Sequence, residues 1–291
     1  MDKKALEAAV IRCGWKGVWE DQLDGLFSKI QFLATKGRYA KLLCNVETAN
    51  DQSNFRASIL EVTFAFQFES AGMELEYETR QDPNHGSSID FRWKTTPEKT
   101  VYIEGRLLQQ DQATTKSIDD QLRIGNIWSV TKDGDGEHQD IVRVQQVILE
   151  KVQRKDGTPT KFLSHDQAVF NVVAVDISQI ILGTFDSYDC LLVARGDPAV
   201  SPMWRRSIFG LFQEPLPQYP EQIQNVAKSF AHLKQTLHGV LFLFKRPKGA
   251  TFNYSFEQLL VWNPGLMQEG ISNTLDNKIE SALPLYKKRE R

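Results

Sequence analysis

Two acids and one arginine hold the most chemically suggestive pattern in the chain. Ile89-Asp90-Phe91 is followed by Tyr102-Ile103-Glu104-Gly105-Arg106, with the polar stretch 94–100 (KTTPEKT) between them. Ile89, Phe91 and Trp93 alternate with Asp90 and Arg92, and Val101, Ile103, Gly105 and Leu107 alternate with Tyr102, Glu104 and Arg106. Alternation with period two belongs to strands. A hairpin centred on Pro97 sets Asp90 opposite Glu104 and Arg92 opposite Tyr102, with both acids on one face. Cross-strand side chains then stand about 5 Å apart. Two carboxylates at that spacing repel, and one pKa rises unless something positive lies between them. A divalent cation meets the need, because Mg²⁺ takes a few carboxylate oxygens and keeps water as its other ligands. Such an ion activates water and stabilises charge on a phosphate. Arg106, on the same face, offers donors to a phosphate oxygen.

The elements that must position these residues can be read around them. In the first fifty residues Leu23, Leu26, Phe27, Ile30 and Leu33 recur at helical spacing behind Asp21 and Asp24, which suits a helical cap. Residues 55–71 fit both periods: Val62, Phe64, Phe66 and Phe68 alternate, while Leu60, Phe64, Phe68 and Ala71 follow a helix. Length and Gly72 at the end favour the helix, with a strand as its competitor. Met73–Tyr77, Ser88–Trp93 and Val101–Leu107 read as strands. Ile141, Val144, Ile148 and Val152 mark an amphipathic helix over 139–154. Val169–Ile177 is apolar almost throughout, as in a strand buried on both faces, and Leu191–Ala194 and Val240–Phe244 look similar. Residues 198–220 read as loop and 221–236 as a helix. This order predicts a layered α/β domain.

With the acids and this element order together, the chain resembles the PD-(D/E)XK superfamily of restriction, repair and defence nucleases. Its members show a helix, then strands carrying an acid, then hydrophobic-(D/E)-x-K. Asp90 matches the first acid, Glu104 the second, and Glu61 in the preceding helix the acid that some members add. The resemblance covers roughly residues 55–180. It implies a restriction endonuclease-like mixed sheet flanked by helices, with a helical cap over about 1–50 and an α/β extension over about 181–291, all in one domain. It further implies a metal-dependent nuclease or nuclease-derived protein acting on DNA or RNA. Asp90 and Glu104, helped by Glu61, would hold Mg²⁺ or Mn²⁺, and Arg106 would serve catalysis. The alternative is a catalytically inactive member kept as a binding or assembly module. Ile89 stands where the motif often has proline, and Arg106 stands where it has lysine. Arginine keeps the charge but cannot exchange a proton near neutral pH.

Plainer readings stay open beside this one. Asp90 and Glu104 also fit polar positions on a half-solvated sheet, paired with Arg92 and Arg106, and Glu61 fits a surface helix position. Composition narrows the classes further. With 41% hydrophobic residues, 291 residues suffice for a sizeable core. A net charge of −2 means that any nucleic-acid contact must gather its basic residues locally. Lys245, Arg246 and Lys248 form one such small cluster. The basic tail Lys287–Arg291 reads as a solvated terminus. Three scattered cysteines (Cys13, Cys44, Cys190) suit a reducing compartment. No apolar stretch suits a signal peptide or a membrane span, so a cytoplasmic location without a membrane partner is expected. Asp133, Asp135 and Glu137 lack the glycine and glutamate of a calcium loop, since His138 and Val144 occupy those positions. The five histidines show no zinc-binding spacing. Asp176, Asp186 and Asp189 are further acids that loop polarity explains equally well.

Overall fold

The chain begins with α1 (Lys3–Arg12), α2 (Asp24–Ala34), α3 (Ala40–Thr48) and α4 (Gln52–Ser70). The computed structural model describes residues 1–15, 20–82, 86–109, 136–154, 158–162, 168–178, 185–197, 207–210, 231–248 and 252–287, with isolated positions between them. Leu26, Ile30 and Leu33 are buried along α2, as their spacing predicts. Helix α4 starts at Asp51, whose carboxylate accepts the Asn54 N–H at 2.8 Å and satisfies a first-turn donor. Phe55, Ile59, Leu60, Val62, Phe64 and Phe68 are all buried. One side of α4 packs on α2 and α3, the other on the sheet. A helix buried between layers is apolar nearly all round, which is why its sequence also satisfies strand spacing.

Strands β1 (Leu75–Thr79), β2 (Ile89–Lys94) and β3 (Thr100–Leu107) form an antiparallel meander. Helix α5 (Gly136–Val152) then leads to β4 (Val169–Asp176), which pairs in parallel with β3. Helices α6 (Ser187–Ala194) and α7 (Ala231–Thr236) precede β5 (Gly239–Pro247), parallel to β4. Strand β6 (Tyr254–Trp262) pairs antiparallel with β5, and α8 (Glu269–Ala282) follows. The result is one six-stranded mixed sheet whose strands lie in sequence order, flanked by helices on both faces. One core, against α1–α4 and α8, takes Phe91, Trp93, Val101, Ile103 and Leu241 from the sheet. The other, against α5–α7, takes Tyr102, Val173, Val175 and Phe242 together with Ile141, Val144, Ile148 and Val152 of α5. No helix among the described residues is long and apolar enough to cross a membrane.

Leu191–Ala194 is a correction: it ends helix α6 and is not a strand. Asp186 accepts the N–H groups of Tyr188 and Asp189, while Asp189 accepts the Asp186 N–H at 2.6 Å. This capping box starts a helix, and four consecutive apolar residues carry no period of their own to oppose it. Asp186 and Asp189 are thereby assigned to the cap. The first strand runs two residues later than Met73–Tyr77. Residues 221–230, most of 198–220, Asp133 and Asp135, and the end of the basic tail lie outside the described residues.

Candidate functional site

The β2–β3 ladder runs from Lys94↔Thr100 through Arg92↔Tyr102 to Phe91↔Ile103 and ends there. Beyond it, Glu104, Gly105 and Arg106 pair with β4. Where the next ladder bonds would fall, side chains take over. The Asp90 carboxylate (Oδ2) accepts the Gly105 N–H at 2.7 Å, and Glu104 Oε2 accepts the Asp90 N–H at 3.4 Å. Each strand thus spends an acid on an amide of the other. Gly105 leaves the room: a Cβ there would stand 3.3 Å from Asp90 Oδ2 and 3.5 Å from Leu60 of α4.

The strand is irregular at the same point. Ile89 packs on the α5 face, whereas Phe91 and Trp93 pack on the α4 face, so strict alternation breaks at Asp90. Across β1, Glu78 lies between the pairs Tyr77↔Phe91 and Thr79↔Ile89 and has φ 48°, a left-handed conformation uncommon for a side chain of its kind. This corrects the expectation that both acids share one face. Asp90 lines a cleft of about 370 Å³ beside α3 and α4, together with Asn45, Asn54, Ser58, Glu61, Tyr77 and Glu78. Glu104 instead meets groups from the α5 side of the sheet.

Glu104 is completely buried, and its Oε1 lies 2.5 Å from the ammonium of Lys151 on α5 and 3.4 Å from that of Lys161. Both lysines retain partial exposure, 21% of the side chain each. The envisaged pairing of the acids with Arg92 and Arg106 is not what forms. Arg92 pairs with Glu76. Arg106 is exposed near the end of β3 and makes no ion pair with a described residue. Glu61 is partly buried and accepts the Tyr77 hydroxyl at 2.6 Å.

The electrostatics follow from this packing. Burial, then the Glu104 and Glu61 charges, push the Asp90 carboxyl well above the ordinary aspartate range, against Lys151 and the Gly105 bond. Burial likewise pushes Glu61 up to about 7, with Glu104 adding to it and the Tyr77 bond and Lys151 opposing. Among the described residues, no group of three or more acids, histidines or cysteines is gathered closely enough to hold a metal ion. Asp90 and Glu104 as a pair remain hard oxygen donors of the kind Mg²⁺ uses with water completing its shell.

Lys151 and Lys161 escaped the sequence reading, as did Tyr77 in this role. One signal for Lys151 existed: it falls three residues after Ile148, close to the apolar stripe of α5, where a lysine wants a buried partner. Lys161 had no such signal. Asp176 is also fully buried, with Ser178 N donating to its Oδ1 at 2.9 Å and Lys245 Nζ 3.0 Å from its Oδ2. A larger hollow of about 520 Å³ lies at the far end of β1 and β2, against Arg38, Trp93, Lys94 and Lys278. Its cations are already engaged, Arg38 by Glu69, Lys94 by Glu76 and Lys278 by the Thr95 carbonyl. The smaller cleft holds the perturbed acids and is the better candidate. No protein-family model, curated protein or solved structure matches the chain.

Proposed function

We propose that the chain is a metal-dependent nuclease of the PD-(D/E)XK kind, or a protein derived from one, acting on DNA or RNA phosphodiesters. The observation that carries this reading is the break in the β2–β3 ladder, where Asp90 and Glu104 replace backbone pairing beneath acid-bearing α4. The order α4, three-strand meander, α5 and parallel β4 supports a restriction endonuclease-like core. Asp90 and Glu104, with Glu61 nearby, would hold Mg²⁺ or Mn²⁺. Such an ion supplies Lewis-acid charge to the phosphoryl oxygens and lowers the pKa of bound water.

The chain's own residues do the rest. Lys151 supplies the ammonium that Arg106 does not, because its Nζ already touches Glu104. From there it can hold water and offset charge developing on phosphorus. The Gly105 N–H fixes one Asp90 oxygen and leaves the other for a ligand. Arg106, at the exposed strand end, would meet a phosphate further along the substrate.

One observation favours the second reading, an inactive binding or assembly module. Glu104 is fully buried with both oxygens engaged, so it must release a partner to join a metal. A cleavage assay separates the two, using single- and double-stranded DNA and RNA with Mg²⁺ or Mn²⁺. The nuclease reading expects cleavage by wild type that Asp90→Asn and Glu104→Gln abolish. Cleavage that survives Glu104→Gln would place the chemistry elsewhere, and an inert wild type would leave the module.

A further inference from the structure

We propose that Lys161 is a positioning residue: it stays on Glu104 and on the chain entering β2, while Lys151 yields its place on Glu104 to a divalent ion and turns to the substrate phosphate. This rests on the nuclease reading and assigns separate tasks to the two lysines that meet Glu104. Both ammonium groups approach one carboxylate oxygen, Glu104 Oε1, Lys151 at 2.5 Å and Lys161 at 3.4 Å. They are tethered differently. Lys161 also donates to the Ser88 carbonyl at 2.6 Å, one residue before β2. Its own segment is held on both sides. Thr160 N donates to the Val152 carbonyl at 3.0 Å, the Thr160 carbonyl accepts the Ser87 hydroxyl at 2.7 Å, and Phe162 is fully buried in the core shared with α5. Thr160 and Lys161 together tie residues 87–88 to the end of α5, just before Asp90 leaves the ladder.

Lys151 lies in the last turn of α5, and among the described residues its ammonium hydrogen-bonds to Glu104 alone. Its charge also opposes the rise of the Asp90 and Glu61 carboxyls, so it stands within electrostatic reach of the acid-lined cleft. Glu104 is completely buried, and a buried carboxylate stripped of every cation is strongly destabilising. The two lysines therefore cannot both depart. Two ammonium groups and a divalent ion on the same carboxylate are no better, because like charges a few ångströms apart repel. One lysine has to leave, and one has to stay. Departure of Lys161 would also take a donor from the Ser88 carbonyl and loosen the start of β2. Departure of Lys151 breaks a single contact, and its flexible four-carbon stem retains a path to solvent. There its charge can offset that of a phosphoryl oxygen, which it cannot do while spent on Glu104.

Competitive lysine acetylation read by mass spectrometry tests the proposal without any turnover. Wild type, Asp90→Asn, Lys161→Met and Lys161→Arg are labelled with and without Mn²⁺, and calorimetry records Mn²⁺ binding in parallel. In wild type Mn²⁺ should raise the labelling of Lys151 severalfold and leave Lys161 protected. Asp90→Asn should abolish the rise. Lys161→Met leaves Glu104 to Lys151 alone, so the rise should be lost, and Lys161→Arg should restore it. In cleavage assays Lys161→Met should lower kcat by about tenfold at nearly constant KM, with Lys161→Arg close to wild type, as for other groups that orient a metal-binding carboxylate. The wild-type labelling decides the matter even if Lys161→Met folds poorly. A rise at Lys161, or at both lysines, overturns the division of tasks, and so does a rise at Lys151 that persists in Lys161→Met. Mn²⁺ binding that exposes neither lysine overturns the proposal and leaves the nuclease reading intact. Absence of Mn²⁺ binding overturns the metal-dependent reading and this proposal with it.

Discussion

Glu61 and Lys151 make opposite contributions at one site, and each can be read out separately. With its carboxyl pushed up to about 7 by burial and by Glu104, Glu61 keeps a proton that an unfolded chain releases near about pH 4.3. Between those values the folded state binds more protons, so stability falls as pH rises toward about 7 and stays reduced above it. Glu61→Gln should therefore raise stability at about pH 8 by roughly 1–2 kcal/mol and change little at about pH 4. Urea denaturation at the two pH values measures this; an equal effect at both would show that Glu61 ionises without penalty. Lys151 contributes the other way. Lys151→Met leaves buried Glu104 with Lys161 alone and should cost on the order of 3 kcal/mol. Adding Glu104→Gln should restore most of that stability but no activity. On the proposed nuclease reading, Lys151→Met should lower kcat by about 10²-fold, and Arg106→Ala by far less. The reverse ranking would return the catalytic cation to Arg106.

Strands β2 and β3 were legible because residues 91–94 and 100–103 obey strict parity and the turn between them is polar. The break at Asp90 was not, because it depends on Glu78 in the neighbouring strand and on the space above Gly105. Helix α5 announced itself through Ile141, Val144, Ile148 and Val152, yet its lysine's partner lies 47 residues away in β3. Pairing at that separation leaves no local pattern to read. The same gap explains α6: Leu191–Ala194 shows only apolarity, while the cap that fixes the helix sits at Asp186 and Asp189. Gly105 is the position where the opening between strands can be tested. Gly105→Ala would press a methyl against Asp90 Oδ2, lengthen its bond to the backbone and cost about 1 kcal/mol. Thermal unfolding gives the stability, and Mn²⁺ titration should show weaker binding. Intact Mn²⁺ affinity would mean that Asp90 does not depend on this seat.

Across the whole molecule, Lys29 joins layers that the sheet alone would leave separate. It rises from α2, touches Thr63 on α4 and binds the Tyr254 carbonyl of β6. Burial, reinforced by Lys248, brings its pKa down to about 8. From there to about 10.4 the unfolded chain binds the proton more readily, so this group makes stability rise with pH through that window. Lys29→Met should stabilise the protein below about pH 8, and the advantage should shrink toward about pH 10. Calorimetric unfolding across that range checks it; a constant difference would show that Lys29 does not titrate differently on folding. Divalent metal offers a second global readout. Burial raises the proton affinity of Asp90 and Glu61, and an ion bound to either acid competes with that proton, so Mn²⁺ binding should release protons and strengthen as pH rises. Calorimetry in buffers of unlike ionisation enthalpy counts them, and no dependence on buffer would contradict shared use of these acids.

The strand order also sets a sequence of events during synthesis. β1, β2 and β3 pair with near neighbours along the chain, whereas β4 must meet β3 through Thr100↔Val169 and β5 must meet β4 through Val172↔Gly239. Local pairings close faster than distant ones. A ribosome therefore releases the meander, with Asp90 and Glu104 already bonded across its break, before Lys151 and Lys161 exist. In that interval Glu104 has water in place of its ammonium partners and is at its most available to a divalent ion. Nascent chains stalled ahead of α5 would gain hydrogen-exchange protection in the meander from Mg²⁺, and chains stalled after Lys161 would gain less.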